Sequence, residues 1–163
     1  MTFQNPPDAE IEALFSRVRN IAVVGLSPKP DRPSYVVARA MQRFGYRIIP
    51  VRPATAEVLG EKCYPDLAGV TERIDLVDVF RAAEHLPALV DACLALKLPA
   101  IWIQEGIVPP SSGEREGQGS PLPQAGGAVG ARAVAALERA RAAGMTVVVD
   151  RCLYKDYVRL MSA

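Results

Sequence analysis

Around residue 25 the chain changes its hydrophobic period, and this change restricts the fold more than any other feature of the sequence. Ile21-Ala22-Val23-Val24 is a short apolar run with no polar alternation, as expected of a parallel strand covered on both faces. Gly25 ends it. From Ser34 onward the spacing is helical, with Val36, Val37, Ala40, Met41 and Phe44 recurring on one side and Ser34 placed to cap the first turn. A helix that starts just beyond a buried strand aims its free N–H groups and the positive end of its dipole above the sheet, a place suited to a phosphate. The competing reading of Gly25 is a simple tight turn.

The same alternation recurs along the chain. Residues 8–19 read as an N-terminal helix with Ile11, Leu14, Phe15 and Val18 on one face and Asp8 as its cap. Residues 46–51 form a second buried strand after Gly45, and residues 62–64 a short edge strand. Residues 74–80, where acids alternate with apolar side chains, form a further strand, and a helix from about Glu84 carries Leu86, Leu89, Val90, Cys93 and Leu94. Residues 100–103 and 146–149 are buried strands. Between them, Val129, Ala133, Ala136, Leu137 and Ala140 make a helical face, and Gly144 follows it. Asp150 is positioned to cap a last helix bearing Leu153, Tyr157, Leu160 and Met161. The Pro-, Ser-, Gly- and Gln-rich stretch over 108–126 is expected to be a mobile insertion, because it has too little apolar area to offset its ordering entropy. Strands alternating with helices predict an α/β, Rossmann-like, doubly wound and mainly parallel sheet, one domain over residues 1–163.

In such sheets the ligand crevice lies beyond the carboxyl ends of the strands. A reader of NAD should show GxGxxG after the first strand and an acid after the second, but here the second strand ends in Arg52. A guanidinium there favours a nucleotide with a 2′- or 3′-phosphate. Lys29, Arg32, Arg52 and Arg81 gather cations around one crevice of a chain whose formal net charge is only +1. For Lys29 and Arg32 the alternative is an ordinary solvated charge, for Arg52 and Arg81 a surface salt bridge.

Near-neutrality also removes any bulk attraction to nucleic acid or to an anionic membrane. Three cysteines without metal-ligand spacing point to reduced thiols and no metal site. With no signal-peptide pattern, the expectation is a cytoplasmic protein. His85, the single histidine, reads as a surface or capping residue beside Glu84. Cys152 is the one candidate for a reactive thiol, although a buried apolar cysteine is the preferred reading. Trp102 is assigned to the core, and Phe80 to the core or a ligand contact.

Several separated segments resemble the small bacterial CoA-binding proteins, whose fold is similar to the N-terminal domain of the succinyl-CoA synthetase α subunit. They are Gly25-Leu26-Ser27-Pro28-Lys29-Pro30-Asp31-Arg32-Pro33-Ser34-Tyr35, Ile49-Pro50-Val51-Arg52-Pro53, Gly60-Glu61-Lys62, Asp78-Val79-Phe80-Arg81, Gln104-Glu105-Gly106 and Asp150-Arg151-Cys152. The resemblance implies that Gly25, Leu26, Ser27 and Ser34 hold phosphates and that Pro50, Val51 and Arg52 flank adenosine. It further implies that Val79, Phe80 and Arg81, with Gln104, Gly106 and Ile107, line the rest, while Lys29, Arg32 and Lys62 are candidate contacts. The expected ligand is coenzyme A or an acyl-CoA, bound without catalysis by this chain itself, with the protein partner open. The alternatives are an NADP- or CoA-dependent enzyme and an adaptor with a structural nucleotide. A family of this kind implies a ligand and not a reaction.

Overall fold

The computed structural model describes residues 3–108 and 127–162. The expected mobile insertion falls, but for Val108, outside these residues. Five strands form one parallel sheet: β1 (Asn20–Val24), β2 (Arg47–Val51), β5 (Leu76–Val79), β6 (Ala100–Ile103) and β7 (Thr146–Val149). A two-residue hairpin, β3 (Glu57–Val58) with β4 (Glu61–Lys62), lies in the connection that follows β2. The helices are α1 (Asp8–Arg17), α2 (Pro33–Arg43), α3 (Leu86–Ala95), α4 (Gly127–Ala142) and α5 (Leu153–Met161).

The sheet order is β2-β1-β5-β6-β7. The chain leaves β1 on one side to make β2 and then returns to the other side of β1 to make β5, so the direction of winding reverses between β1 and β5. Both faces are covered. Ile11, Leu14 and Phe15 of α1, Val37, Ala38 and Met41 of α2 and Leu153 of α5 pack on Ile21, Val23, Leu76, Trp102 and Val148. Leu86, Val90 and Cys93 of α3 and Ala133, Ala136, Leu137 and Ala140 of α4 pack on Ala22, Val24, Val77, Ile101 and Val147. This two-sided burial is why the strands read as unbroken apolar runs. Trp102 is fully buried, as expected, and its indole N–H donates to the Arg151 carbonyl at 2.8 Å.

Pro50 fits in β2 because β2 is an edge of this sheet. The Val51 carbonyl faces β1 and accepts from Gly25 N–H at 2.9 Å. The Pro50 carbonyl turns outward and accepts from Tyr64 N–H at 2.9 Å. The edge strand expected at 62–64 is reduced to β4 and a single parallel bridge between Val51 and Tyr64.

Three expected caps are not formed, each because a distant or preceding residue takes over. Pro7 is the N-cap of α1, and Asp8 sits in the first turn, where it pairs with Arg159 of α5 at 2.8 Å. Arg32 is the N-cap of α2, since Pro33 occupies the first helical position with its φ already set. Cys152 precedes α5, and the Asp150 side chain instead accepts from Gly106 N–H at 2.9 Å. Two boundaries also move. A 3-10 turn over Ala83–His85 precedes α3, which starts at Leu86, and α4 begins at Gly127, two residues before the first residue of the helical face read from the sequence. Val108, placed in that insertion by the sequence, is buried in the core.

Candidate functional site

A cleft of about 360 Å³ opens where the winding reverses, lined by Gly25, Ser27, Lys29, Arg32, Pro33, Ser34, Arg52 and Phe80. These residues are far apart in sequence and come together because β1, β2 and β5 end side by side. Gly25 carries a φ of +85°, and a Cβ added to it would stand 2.5 Å from the Phe80 carbonyl oxygen and 3.1 Å from Arg81 Cδ. Only a glycine lets the β1 turn lie this close to the end of β5. Arg81 is thereby held beside the turn.

The turn is stiffened from within. Ser34 directs its hydroxyl back across the cleft mouth and accepts from Ser27 N–H at 3.0 Å, while the Ser27 hydroxyl accepts from Lys29 N–H at 3.1 Å. Ser34 is therefore a brace between loop and helix, and it is buried. No side chain caps α2, whose first intrahelical bond runs from Val36 N–H to the Arg32 carbonyl at 3.1 Å. The uncapped end of an 11-residue helix thus faces the cleft with its positive dipole end. Lys29, Arg32, Arg52 and Arg81 form no ion pair with a carboxylate among the described residues, as is also the case for several basic residues elsewhere such as Arg39, Arg43 and Lys97; what distinguishes Lys29, Arg32 and Arg52 is that they converge on the cleft lining. The alternative of surface salt bridges for Arg52 and Arg81 is not what the structure shows. Cations without carboxylate partners beside an uncapped helix end make the cleft locally positive on a chain that is close to neutral overall.

The remaining predicted residues contribute differently. Leu26, Val51 and Val79 are buried in the core and Pro50 is buried in β2, and none of the four lines the cleft. Lys62 lies on β4, with Nζ 5.0 Å over the Tyr64 ring, and is not part of the cleft lining. Gln104 is buried and donates from Nε2 to Asp78 at 2.7 Å. Gly106 sits in a turn tied to β7 through Asp150, and Ile107 packs half-buried on the α3/α4 face. Glu105 reaches Lys155 of α5 at 2.8 Å, which fastens the same turn a second time.

Asp78, which in the sequence appeared only within the Asp78-Val79-Phe80-Arg81 segment and had no role of its own, lies two residues before the cleft-lining Phe80. It is fully buried, its Oδ1 accepts from Gln104, and its Oδ2 has no hydrogen-bond partner. Burial pushes its carboxyl up to about 7, against a smaller opposing pull from the Gln104 bond. The signal in the sequence was the polar residue inside an otherwise apolar strand.

Thiol chemistry finds little support in this geometry. Cys152 is buried and its thiol is pushed up by burial, despite backbone N–H groups of Tyr154 and Lys155 that favour the thiolate. Cys63 is raised by burial as well, and Cys93 is pushed up to about 12. His85 lies on the turn after β5 with Nε2 3.5 Å from Glu84. Among the described residues there is no group of three or more His, Cys, Asp or Glu able to hold a metal ion, and no helix is long and apolar enough to cross a membrane.

Comparison with known proteins places this geometry in a family. A protein of Bacillus subtilis named as uncharacterized protein YneT is 47% identical over 105 residues, covering 64% of this chain and 78% of that one. A stretch of 73 residues is 29% identical to an ADP-forming acetate–CoA ligase of Archaeoglobus fulgidus, covering 45% of this chain and only 11% of the ligase. The solved structure of cell-free ID.343 from Thermus thermophilus has a TM-score of 0.75 and 32% identity, covering 96% of this chain and all of that one. The family model described as CoA binding domain matches residues 19–157, a span that includes every residue of the cleft, and the chain belongs to that CoA-binding domain family.

Proposed function

We propose that this protein binds coenzyme A or an acyl-CoA in the cleft between the ends of β1, β2 and β5, and that it does so without catalysing a reaction by itself. The observation that carries the reading is the convergence of three cations, Lys29, Arg32 and Arg52, on a cleft at the uncapped α2 terminus, with Arg81 beside the Gly25 turn, within a chain of the CoA-binding domain family. In this reading the Gly25–Ser27 turn and the start of α2 hold the diphosphate. Arg52, at the end of the edge strand, meets the 3′-phosphate, with Pro50 and Val51 behind the adenosine. Phe80, Arg81 and the turn carrying Gln104, Gly106 and Ile107 border the path of the pantetheine arm. Binding without catalysis accords with the buried, raised thiol of Cys152 and with His85 being engaged by Glu84. The ligase activity named for the archaeal relative belongs to a protein of which the matched stretch is 11%. For this chain, the CoA-holding part of that activity is what we infer.

Isothermal titration with CoA, acetyl-CoA, NADPH and NAD tests the reading. Saturable heat with CoA or acetyl-CoA, and little with NAD, is the expected result. Clear NADPH binding with no heat from CoA or its thioester would replace it with the NADP reading for which Arg52 is also suited.

A further inference from the structure

Asp78 lies directly beneath the cleft. It stands two residues before Phe80 on β5, and its β1 neighbour Val23 stands two residues before Gly25, so both strands carry it to about 7 Å below residues that line the site. Its carboxyl faces the same side of the sheet as Leu76 and Trp102. Val23 of β1 and Trp102 of β6 flank it, and Gln104 supplies its one hydrogen bond. On that face the packed helices contribute the apolar residues of α1 and α2, with Leu153 of α5. The buried titratable groups there are Cys152 and Asp156, and Asp156 is held by Arg151 at 2.8 Å and Arg159 at 3.4 Å. No cation pairs with Asp78 among the described residues. The charged groups nearest the cleft above it are Lys29, Arg32 and Arg52, which line it, and Arg81 beside the Gly25 turn.

We propose that Asp78 links ligand binding to a proton: the cleft holds a polyphosphate ligand best while this carboxyl is neutral, and ionisation beneath the first turn weakens its hold. This rests on reading the cleft as a CoA site. A carboxylate formed there is poorly solvated, because its Oδ2 has no partner, and its field extends upward into the place where phosphates would sit. Burial sets the titration near neutrality, at about 7, where small changes in pH alter its charge. A bound anion and an ionised Asp78 repel each other. Binding therefore draws a fraction of a proton from solvent onto the carboxyl, and the coupling is reciprocal. For unit charges roughly 9 Å apart in a protein-like dielectric, partly screened, the effect on affinity is about tenfold.

The test is CoA titration of the wild type, Asp78→Asn and His85→Asn at pH 6.0, 7.0 and 8.5, in two buffers of different ionisation enthalpy. Asp78→Asn keeps an oxygen acceptor for Gln104 and cannot ionise, while His85→Asn removes the one histidine, outside the cleft. Changes in the ligand's own phosphate charge act equally on all three proteins. The expected result is that affinity of the wild type falls about tenfold more than that of Asp78→Asn between pH 6.0 and 8.5. Uptake of close to half a proton on binding at pH 7 should accompany it, vanishing in Asp78→Asn and persisting in His85→Asn. Parallel profiles for wild type and Asp78→Asn, with equal proton uptake, would overturn the coupling while leaving the CoA reading intact. Absence of CoA heat at every pH would overturn both. If Asp78→Asn does not fold, the carboxyl 13C resonance of Asp78 in the wild type decides: a midpoint raised by about one pH unit with CoA bound supports the coupling, and an unmoved midpoint overturns it.

Discussion

Gly25 and Phe80 approach so closely that a Cβ on the glycine would lie 2.5 Å from the Phe80 carbonyl oxygen. That contact joins the turn after β1 to the end of β5, the two strands between which the winding of the sheet reverses. In open α/β sheets this is where ligand crevices form. Gly25→Ala must relieve a clash against backbone while placing a side chain at a φ of +85°. The expected loss is at least ~2 kcal/mol, about 4–8 °C in Tm for a chain of this size. Differential scanning calorimetry checks it, and an unchanged Tm would show that the two strand ends are not locked together.

Ser34 is predicted to act on the turn and not on the helix. Removing its hydroxyl leaves the part-buried Ser27 N–H without its 3.0 Å acceptor, a loss of about 1 kcal/mol. Ser34→Ala should speed hydrogen exchange at the Ser27 amide selectively, with the amides of α2 little changed. Faster exchange spread along α2 instead would assign Ser34 a capping role.

Arg52 separates ligands by their 3′-phosphate. Arg52→Glu is expected to weaken CoA by roughly a hundredfold and dephospho-CoA by much less, because a charge-assisted contact is replaced by repulsion only where that phosphate is present. Competition binding of the two ligands measures the ratio. Equal losses would move the 3′-phosphate elsewhere in the cleft.

Asp78 makes stability depend on pH even without ligand. Its folded carboxyl titrates at about 7, above the ordinary 3.8, so between these values the folded state keeps a proton that the unfolded state has released. Stability therefore falls as pH rises through that window and levels off above it, by up to ~4 kcal/mol in all. Asp78→Asn lacks this decline. Urea unfolding at pH 5 and pH 8.5 should show the variant gaining on the wild type at the higher pH, and a constant gap would mean that the carboxyl ionises freely in the fold.

The strands at 100–103 and 146–149 could be read to the residue from the sequence. A strand covered on both sides must be apolar throughout, and that pattern survives in one dimension. The turn at Gly25 was legible for a similar reason, since a change of period marks a change of element. The caps were not. Asp8, Ser34 and Asp150 each have the chemistry of a helix cap, yet their partners are Arg159, Ser27 and Gly106. Pro33 had already displaced Ser34 from the capping position, while long-range contacts claimed the two acids.

The two acids of the third main-sheet strand region show the division most clearly. Asp75 and Asp78 look alike in an alternating stretch, but Asp75 accepts from the backbone of Arg19 and Asn20 at the amino end of the strands, while Asp78 is sealed inside. Composition and periodicity alone determined an α/β chain with a phosphate-suited turn and cations near strand ends. Which side of β1 receives β5, and hence which cations meet at one cleft and which carboxyl lies beneath it, was decided by tertiary packing. The reason is that local propensity acts over a few residues, whereas strand order depends on which apolar faces bury one another across the whole sheet.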